Sequence, residues 1–436
     1  MTPTETTREA LADAVTRARR AWERQLPPER LTTVMLAIMI VAGSVLRLWD
    51  VDVLPRLGFD EDHFVLNARR YLIGEGDLNN HPPLGKLFIA VGMLIVGDNP
   101  AGWRAASIVW GLQTIVVAAV LARELFEDRR AAWFAAAFVA ADGFFLSYSR
   151  TALLDGGLAC LVLWSVLAAE LARTWRGVLA SAVLVGLAAS VKWSGGLVVI
   201  PAAALVLARG RVARRWVLLF GTAPVVHLGL WVGALAFSGQ PAAPRALVAV
   251  IREALHSHIV NGTLQHDAAS PWYSWLIFYR PIVLKATEHG TWHHYASCVG
   301  HPLLFVGASL GIVVTVGGAL AALVSRRARA WVRARCAAGP MTTAAAFLAL
   351  GWLALIAPWT GPRAYTFVYH YLPSYGFALT LLAGVVAHLE RRFPSRVAAF
   401  VCAVFLLAAF FAPVWAELRI SEHAARMRLV FPAWRP

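Results

Sequence analysis

Apolar runs of roughly 20 residues recur along this chain, and the turns between them are rich in arginine. A helix of that length matches the roughly 30 Å hydrocarbon core of a bilayer. In lipid every backbone polar group must find its partner within the segment, so each run is expected to be a helix. The runs give eleven expected spans: 31–48, 102–121, 131–145, 156–171, 178–191, 195–207, 216–237, 302–324, 342–357, 371–389 and 397–414. The segment 84–96 is apolar but short, which suits the membrane interface better than a crossing. Hydrophobic residues make up 59% of the chain and charged ones 15%, where a soluble chain carries about 25% charged. The expected fold class is an all-α polytopic membrane protein. One membrane domain covers 31–415, between an N-terminal segment, 1–30, and a tail, 416–436. The N-terminal segment is polar, helix-prone over 6–24 and without a cleavage pattern, so the first run reads as a retained helix.

The arginines give the expected topology. Arg17, Arg19, Arg20, Arg24 and Arg30, then Arg123, Arg129 and Arg130, then Arg173 and Arg176, fall on one side of the eleven spans. So do Arg209, Arg211, Arg214 and Arg215, Arg326, Arg327, Arg329, Arg333 and Arg335, and Arg391, Arg392 and Arg396. By the positive-inside rule that side is cytoplasmic. The loops 49–100 and 238–301 and the arginine-bearing tail are then expected outside, at the cell membrane's outer face. The net charge of +15 does not point to nucleic acid, because the cations sit in short turns and no basic, aromatic-rich soluble face exists.

An ionisable residue at a span end is costly unless it has a partner or a task. On the expected outer side these are Asp60, Glu61, Asp62, His63, His81, Lys86, Arg104, Asp142, Arg150, Asp155, Lys192, Arg280, Arg363 and His370. The adjacent carboxylates Asp60 and Glu61 suit a general base with a neighbour that holds a substrate. Arg104, Arg150 and Lys192 converge on the same side and suit a phosphate; snorkelling is the plain alternative, as is an Asp155–Arg150 pair. The prolines after His81 fit the first turn of a helix, which leaves His81 and Lys86 to be explained. The loop histidines (His256, His258, His266, His289, His293, His294, His301) have no carboxylate or cysteine at ligand spacing, so no metal is expected. Cys160, Cys298, Cys336 and Cys402 show no pairing pattern. Polar residues crowd span ends rather than midplane depths, which favours surface chemistry over a transporter.

Together these stretches resemble the protein O-mannosyltransferase family, membrane glycosyltransferases of the GT-C fold. The resemblance rests on Phe59-Asp60-Glu61-Asp62-His63-Phe64 and His81-Pro82-Pro83-Leu84-Gly85-Lys86, with Ser149-Arg150-Thr151-Ala152-Leu153-Leu154-Asp155 and Ser190-Val191-Lys192-Trp193-Ser194-Gly195 following. Trp275 to Arg280-Pro281 and Tyr369-His370-Tyr371-Leu372-Pro373 complete it, in family order across most of 45–385. The resemblance implies eleven spans and polyprenyl phosphate mannose as a lipid-linked donor substrate, with no cofactor and no metal. It implies Asp60 as the catalytic aspartate that deprotonates a Ser or Thr hydroxyl, and Glu61 as an aid in holding the acceptor. Arg104 and Lys192, with Arg150 and His370, would contact the donor phosphate. Asp62, His63, His81, Lys86, Asp155 and Arg280 would support the acceptor or the loops. The implied partners are secretory polypeptides, membrane lipids and the secretion translocon, and the alternative acceptor is a lipid or glycan. The 238–301 loop is too short for the soluble (MIR) domain that fungal and animal members carry between spans.

Overall fold

The computed structural model describes residues 28–51, 57–76, 81–209, 216–239, 241, 243–261, 266–289, 292–327, 330, 339–361 and 365–435. The expected helix over 6–24, Asp77, Arg363, Cys336 and the arginines at 211–215, 329, 333 and 335 lie outside these. The chain opens on α1 (Pro28–Leu48), α2 (Glu61–Leu72), α3 (Leu84–Val96) and α4 (Pro100–Phe126). Next come α5 (Arg129–Ala141), α6 (Gly143–Ser149), α7 (Asp155–Leu171), α8 (Trp175–Val191), α9 (Val199–Ala208), α10 (Trp216–Phe237) and α11 (Pro244–Asn261). The strands β1 (Val283–His289) and β2 (Trp292–Ser297) precede α12 (Pro302–Val324), α13 (Pro340–Ile356), α14 (Leu372–Glu390) and α15 (Pro394–Trp415). The tail forms β3 (Ile420–Ser421) and α16 (Glu422–Arg428).

Among the described residues six helices are long and apolar enough to cross a membrane, or seven if the bent pair α5–α6 is one span. Helices α3 and α8 and the unit from Trp193 to Ala208 are apolar but shorter, so length and composition alone do not reach the expected eleven. Packing sorts the helices. In α14 83% of the apolar window is inside the protein, against 22% in α10 and 28% in α12. The first is a core helix, touching α4, α5, α7, α12, α13 and α15, whereas the other two turn Val225, Leu310, Val314 and Leu323 outward, as a lipid-facing surface requires.

Local chemistry sets the helix ends. Asn99 accepts from Gly102 N at 2.9 Å, with Pro100 at the first helical position of α4. The expected span 131–145 is in fact broken: α5 and α6 meet at 62°. Asp142 makes the break. Its carboxylate accepts from Phe145 N (3.1 Å), His301 N (3.1 Å) and Tyr375 Oη (3.0 Å), which starts α6 as a fresh helix and ties it to the loop before α12.

The two ends of the bundle differ. Asp128, just past the end of α4, pairs with Arg391 at 2.8 Å, and Arg130 pairs with Glu390 at 3.6 Å. Arg104 lies in the first turns of α4, about 36 Å away at 1.5 Å per residue. At that end β1, β2 and β3 form an antiparallel sheet in the order β1-β2-β3, in which Trp292 pairs with Ser421 and Ile420 with His293. The tail therefore shares a side with the 238–301 loop, as expected. The sheet itself was not expected in an all-helical reading, although helices remain the body of the fold.

Candidate active site

The loop before α2 turns sharply at Asp60. Its backbone is left-handed, φ 56° and ψ −8°, a conformation that costs a non-glycine residue about 1 kcal/mol or more and persists only where neighbours impose it. They do so on both flanks. Phe59 N donates to Leu284 O at 2.8 Å, and Glu61 N donates to Gly58 O at 3.0 Å. Gly58 lies so close to β1 that a Cβ would stand 2.5 Å from Leu284 O and 2.6 Å from Lys285 Cγ. Gly58→Ala must push this loop off the hairpin. We expect stability to fall by about 1–2 kcal/mol, the cost of overpacking. Comparing the unfolding midpoints of the purified variant and wild type checks it.

Glu61 is fully buried and holds the turn from the other side. Its carboxylate accepts from Arg104 Nε (2.8 Å) and Nη2 (3.2 Å), from Gly58 N (2.9 Å) and from Ala152 N (2.8 Å). Lys285 Nζ stands 3.3 Å away and reaches Glu417 at the same distance. Burial alone would raise this carboxyl, but Lys285 and Arg104 together hold it down at about 2. The stability that Glu61 contributes is thus present above its ordinary value near 4.5 and lost as pH falls toward 2.

Asp60 differs from its neighbour. It sits at the N-cap of α2 yet its side chain makes no capping bond. Burial raises its carboxyl above the usual aspartate value; Lys192 and His63 pull it back, and Asp155 and Asp62 push it further up. Lys192 Nζ is 2.9 and 2.8 Å from the two oxygens of Asp155 and 4.9 Å above the Tyr369 ring. His370 stacks on Trp359 with centroids 3.7 Å apart, and its Nδ1 accepts from Phe367 N at 3.1 Å. The His81 ring lies 5.2 Å from that of His258. Burial depresses the His81 pKa, and Lys192, His258, Lys86 and His370 press it lower still, so the ring is neutral at pH 7. Lys192 thus acts on the Asp60 carboxylate and on His81 alike, and His258 and His370 act on the same His81 ring.

The structure redirects the expectations for Arg104, Glu61 and Arg150, and places the other candidates as follows. Arg104 is 1% exposed and donates to Glu61 and to Val51 O (2.7 Å), so it braces the loop instead of presenting itself to a phosphate. Glu61 is enclosed by those donors and has no face for an acceptor. Arg150 is buried and donates to Leu46 O at the end of α1, and no ion pair joins it to Asp155, whose partner is Lys192. Lys86 Nζ donates to His81 O at 2.6 Å and fixes the entry to α3. Arg280 donates to the Asp267 and Ala269 carbonyls and closes the 266–280 loop. Asp62 and His63 are exposed on α2, where Asp62 Oδ1 accepts from His63 N at 2.8 Å. Lys285 and Glu417 do not stand out in the sequence, and His258 figures there only among the loop histidines weighed as metal ligands.

Comparison with known proteins follows the same outline. A model of the dolichyl-phosphate-mannose-protein mannosyltransferase family matches residues 80–240, and one of the C-terminal four-span region of protein O-mannosyltransferases matches 249–426. A polyprenol-phosphate-mannose–protein mannosyltransferase of Mycolicibacterium smegmatis is 29% identical over 37% of this chain and 38% of its own length. One from Mycobacterium tuberculosis is 28% identical over 42% of each. The chain thus aligns with about two-fifths of these relatives. Among solved structures, the Saccharomyces cerevisiae protein O-mannosyltransferase Pmt1-Pmt2 complex bound to the sugar donor superposes with TM-score 0.78 over 93% of each chain at 11% identity. ArnT of Cupriavidus metallidurans gives 0.57 over 88% of this chain and 65% of its own, at 18% identity. Both share the fold of GT-C membrane glycosyltransferases. With two models of one family side by side over most of its length, the chain belongs to the protein O-mannosyltransferase family.

Proposed function

We propose that this protein transfers mannose from polyprenyl phosphate mannose to Ser and Thr hydroxyls of proteins, with inversion at the anomeric carbon. The observation that carries the reading is Asp60: a strained, half-buried carboxylate with no capping bond, close enough to Lys192 to feel its charge. The acceptor hydroxyl attacks the anomeric carbon and the bond to phosphate breaks. The hydroxyl proton passes to Asp60, and polyprenyl phosphate leaves. A base on the face opposite the leaving group gives inversion, as in inverting glycosidases. The phosphate leaves readily, so stabilising its charge matters more than protonating it. Lys192, His370 and His81 serve that end of the reaction, and the donor is a substrate, so no cofactor is required. Glu61, Arg104 and Arg150 act through the backbone they hold.

The arginine pattern supports a cytoplasmic N-terminus and a site on the outer face of the cell membrane, where translocated chains and the donor lipid meet. The test is reconstitution of the purified protein in vesicles with polyprenyl phosphate mannose and a Ser/Thr/Pro-rich peptide. We expect the peptide to gain one hexose. An unmodified peptide beside a mannosylated lipid or glycan would overturn the acceptor assignment.

The base role fixes a pH dependence. Asp60 works deprotonated, and burial places its pKa above 3.8. Activity is therefore present above that raised pKa and lost as pH falls through it, earlier on acidification than for an exposed aspartate. The acid limb of kcat/KM reports the free enzyme, and a limb at or below 3.8 would count against Asp60.

A further inference from the structure

The Glu61 carboxylate meets a second cation from a distant part of the chain. Lys285 lies on β1 next to a register irregularity, between Val283 and itself, in the pairing with β2. Its neighbour Leu284 accepts the hydrogen bond from Phe59 N, while its own ammonium lies between Glu61 and Glu417. Asp60 is therefore gripped on both flanks by two consecutive residues of one strand. Glu417 is also held in place. It follows α15 in a left-handed conformation, φ 60°, is 7% exposed, and its carbonyl faces His294 Nδ1 at 2.9 Å. Downstream, β3 adds to β2, and Trp434 Nε1 donates to Phe278 O at 3.0 Å.

We propose that Lys285 and Glu417 are positioning residues for the transfer reaction, linking the C-terminal tail through β1 to the turn that aims Asp60. The proposal rests on Asp60 as the base, but its geometric part stands apart from that reading. A lysine between two buried carboxylates is satisfied only when both are present, so the tail sets the charge balance around Glu61 and with it the turn.

Hydrogen exchange over residues 57–64 of the full-length protein in detergent tests the geometric part without any assay of transfer. Lys285→Met is expected to speed exchange of these amides by roughly tenfold or more, and Lys285→Arg to restore protection. Glu417→Gln, farther from the turn, should act in the same direction by a smaller factor. In the transfer assay Lys285→Met should lower kcat on the order of 30-fold while the KM values for donor and peptide stay within about twofold. Losses in the Lys285→Met/Glu417→Gln double variant should fall short of the product of the single ones, as residues sharing one network require. Unchanged protection at 57–64 in both single variants overturns the proposal, even if activity falls. Faster exchange together with a wild type inert toward peptide keeps the positioning role and removes the proposed reaction.

Discussion

Asp60→Asn is expected to lower transfer by a factor of about 10² to 10⁴, the range that a positioned general base contributes, and to leave the protein folded and inserted. The substitution is clean for three reasons. Asparagine matches aspartate in shape. It also tolerates the left-handed backbone that Asp60 adopts better than most side chains do. The Asp60 side chain makes no capping bond to α2, so none is lost. What disappears is the ability to accept a proton from the acceptor hydroxyl. The check is turnover of the purified variant beside its melting curve. Near-normal turnover in a folded variant would remove Asp60 from the base role. A melting point lowered along with activity would mean instead that the carboxylate holds the turn.

The sequence shows the machinery of this site more readily than its wiring. In an apolar chain each ionisable residue is conspicuous, so Asp60, Glu61, His81, Lys86, Arg104, Asp155, Lys192 and His370 stand out at once, and the span count brings them to one end. Side-chain type fixes the sign of a charge but not its partner. Arg104 looks ready for a phosphate in isolation; the structure gives its guanidinium to Glu61, 43 residues away. Lys285 looks like any loop lysine, because Glu417 lies 132 residues further on and only the fold makes them neighbours. The kink at Asp142 hides in a run that reads as one continuous apolar stretch, since a single carboxylate does not break a hydropathy pattern. The β1–β2 hairpin is short and lies in a loop that stands out in the sequence only for its histidines, and its third strand comes from the tail.

Arg104→Ala separates the two readings of that arginine. As a phosphate contact, its loss would raise the KM for the donor and spare both the acceptor and the fold. As the geometry has it, the loss leaves the Glu61 carboxylate buried with Lys285 as its remaining counter-ion. Breaking a buried pair by removing one partner costs about 3–5 kcal/mol, so a large fall in melting temperature is expected. Turnover should fall with it, and the two KM values should move together, because the turn at Asp60 loosens for both substrates alike. Arg104→Lys should recover only part of either loss, since one ammonium cannot reproduce the two-pronged contact on Glu61. Pairing Arg104→Met with Glu61→Gln removes both charges. It should regain stability relative to Arg104→Ala, because no carboxylate stays buried without its guanidinium, while transfer stays low, because nothing then holds Gly58 and Ala152 to the turn with comparable strength. Stability that returns without activity is the signature of a pair whose task is to aim its neighbour.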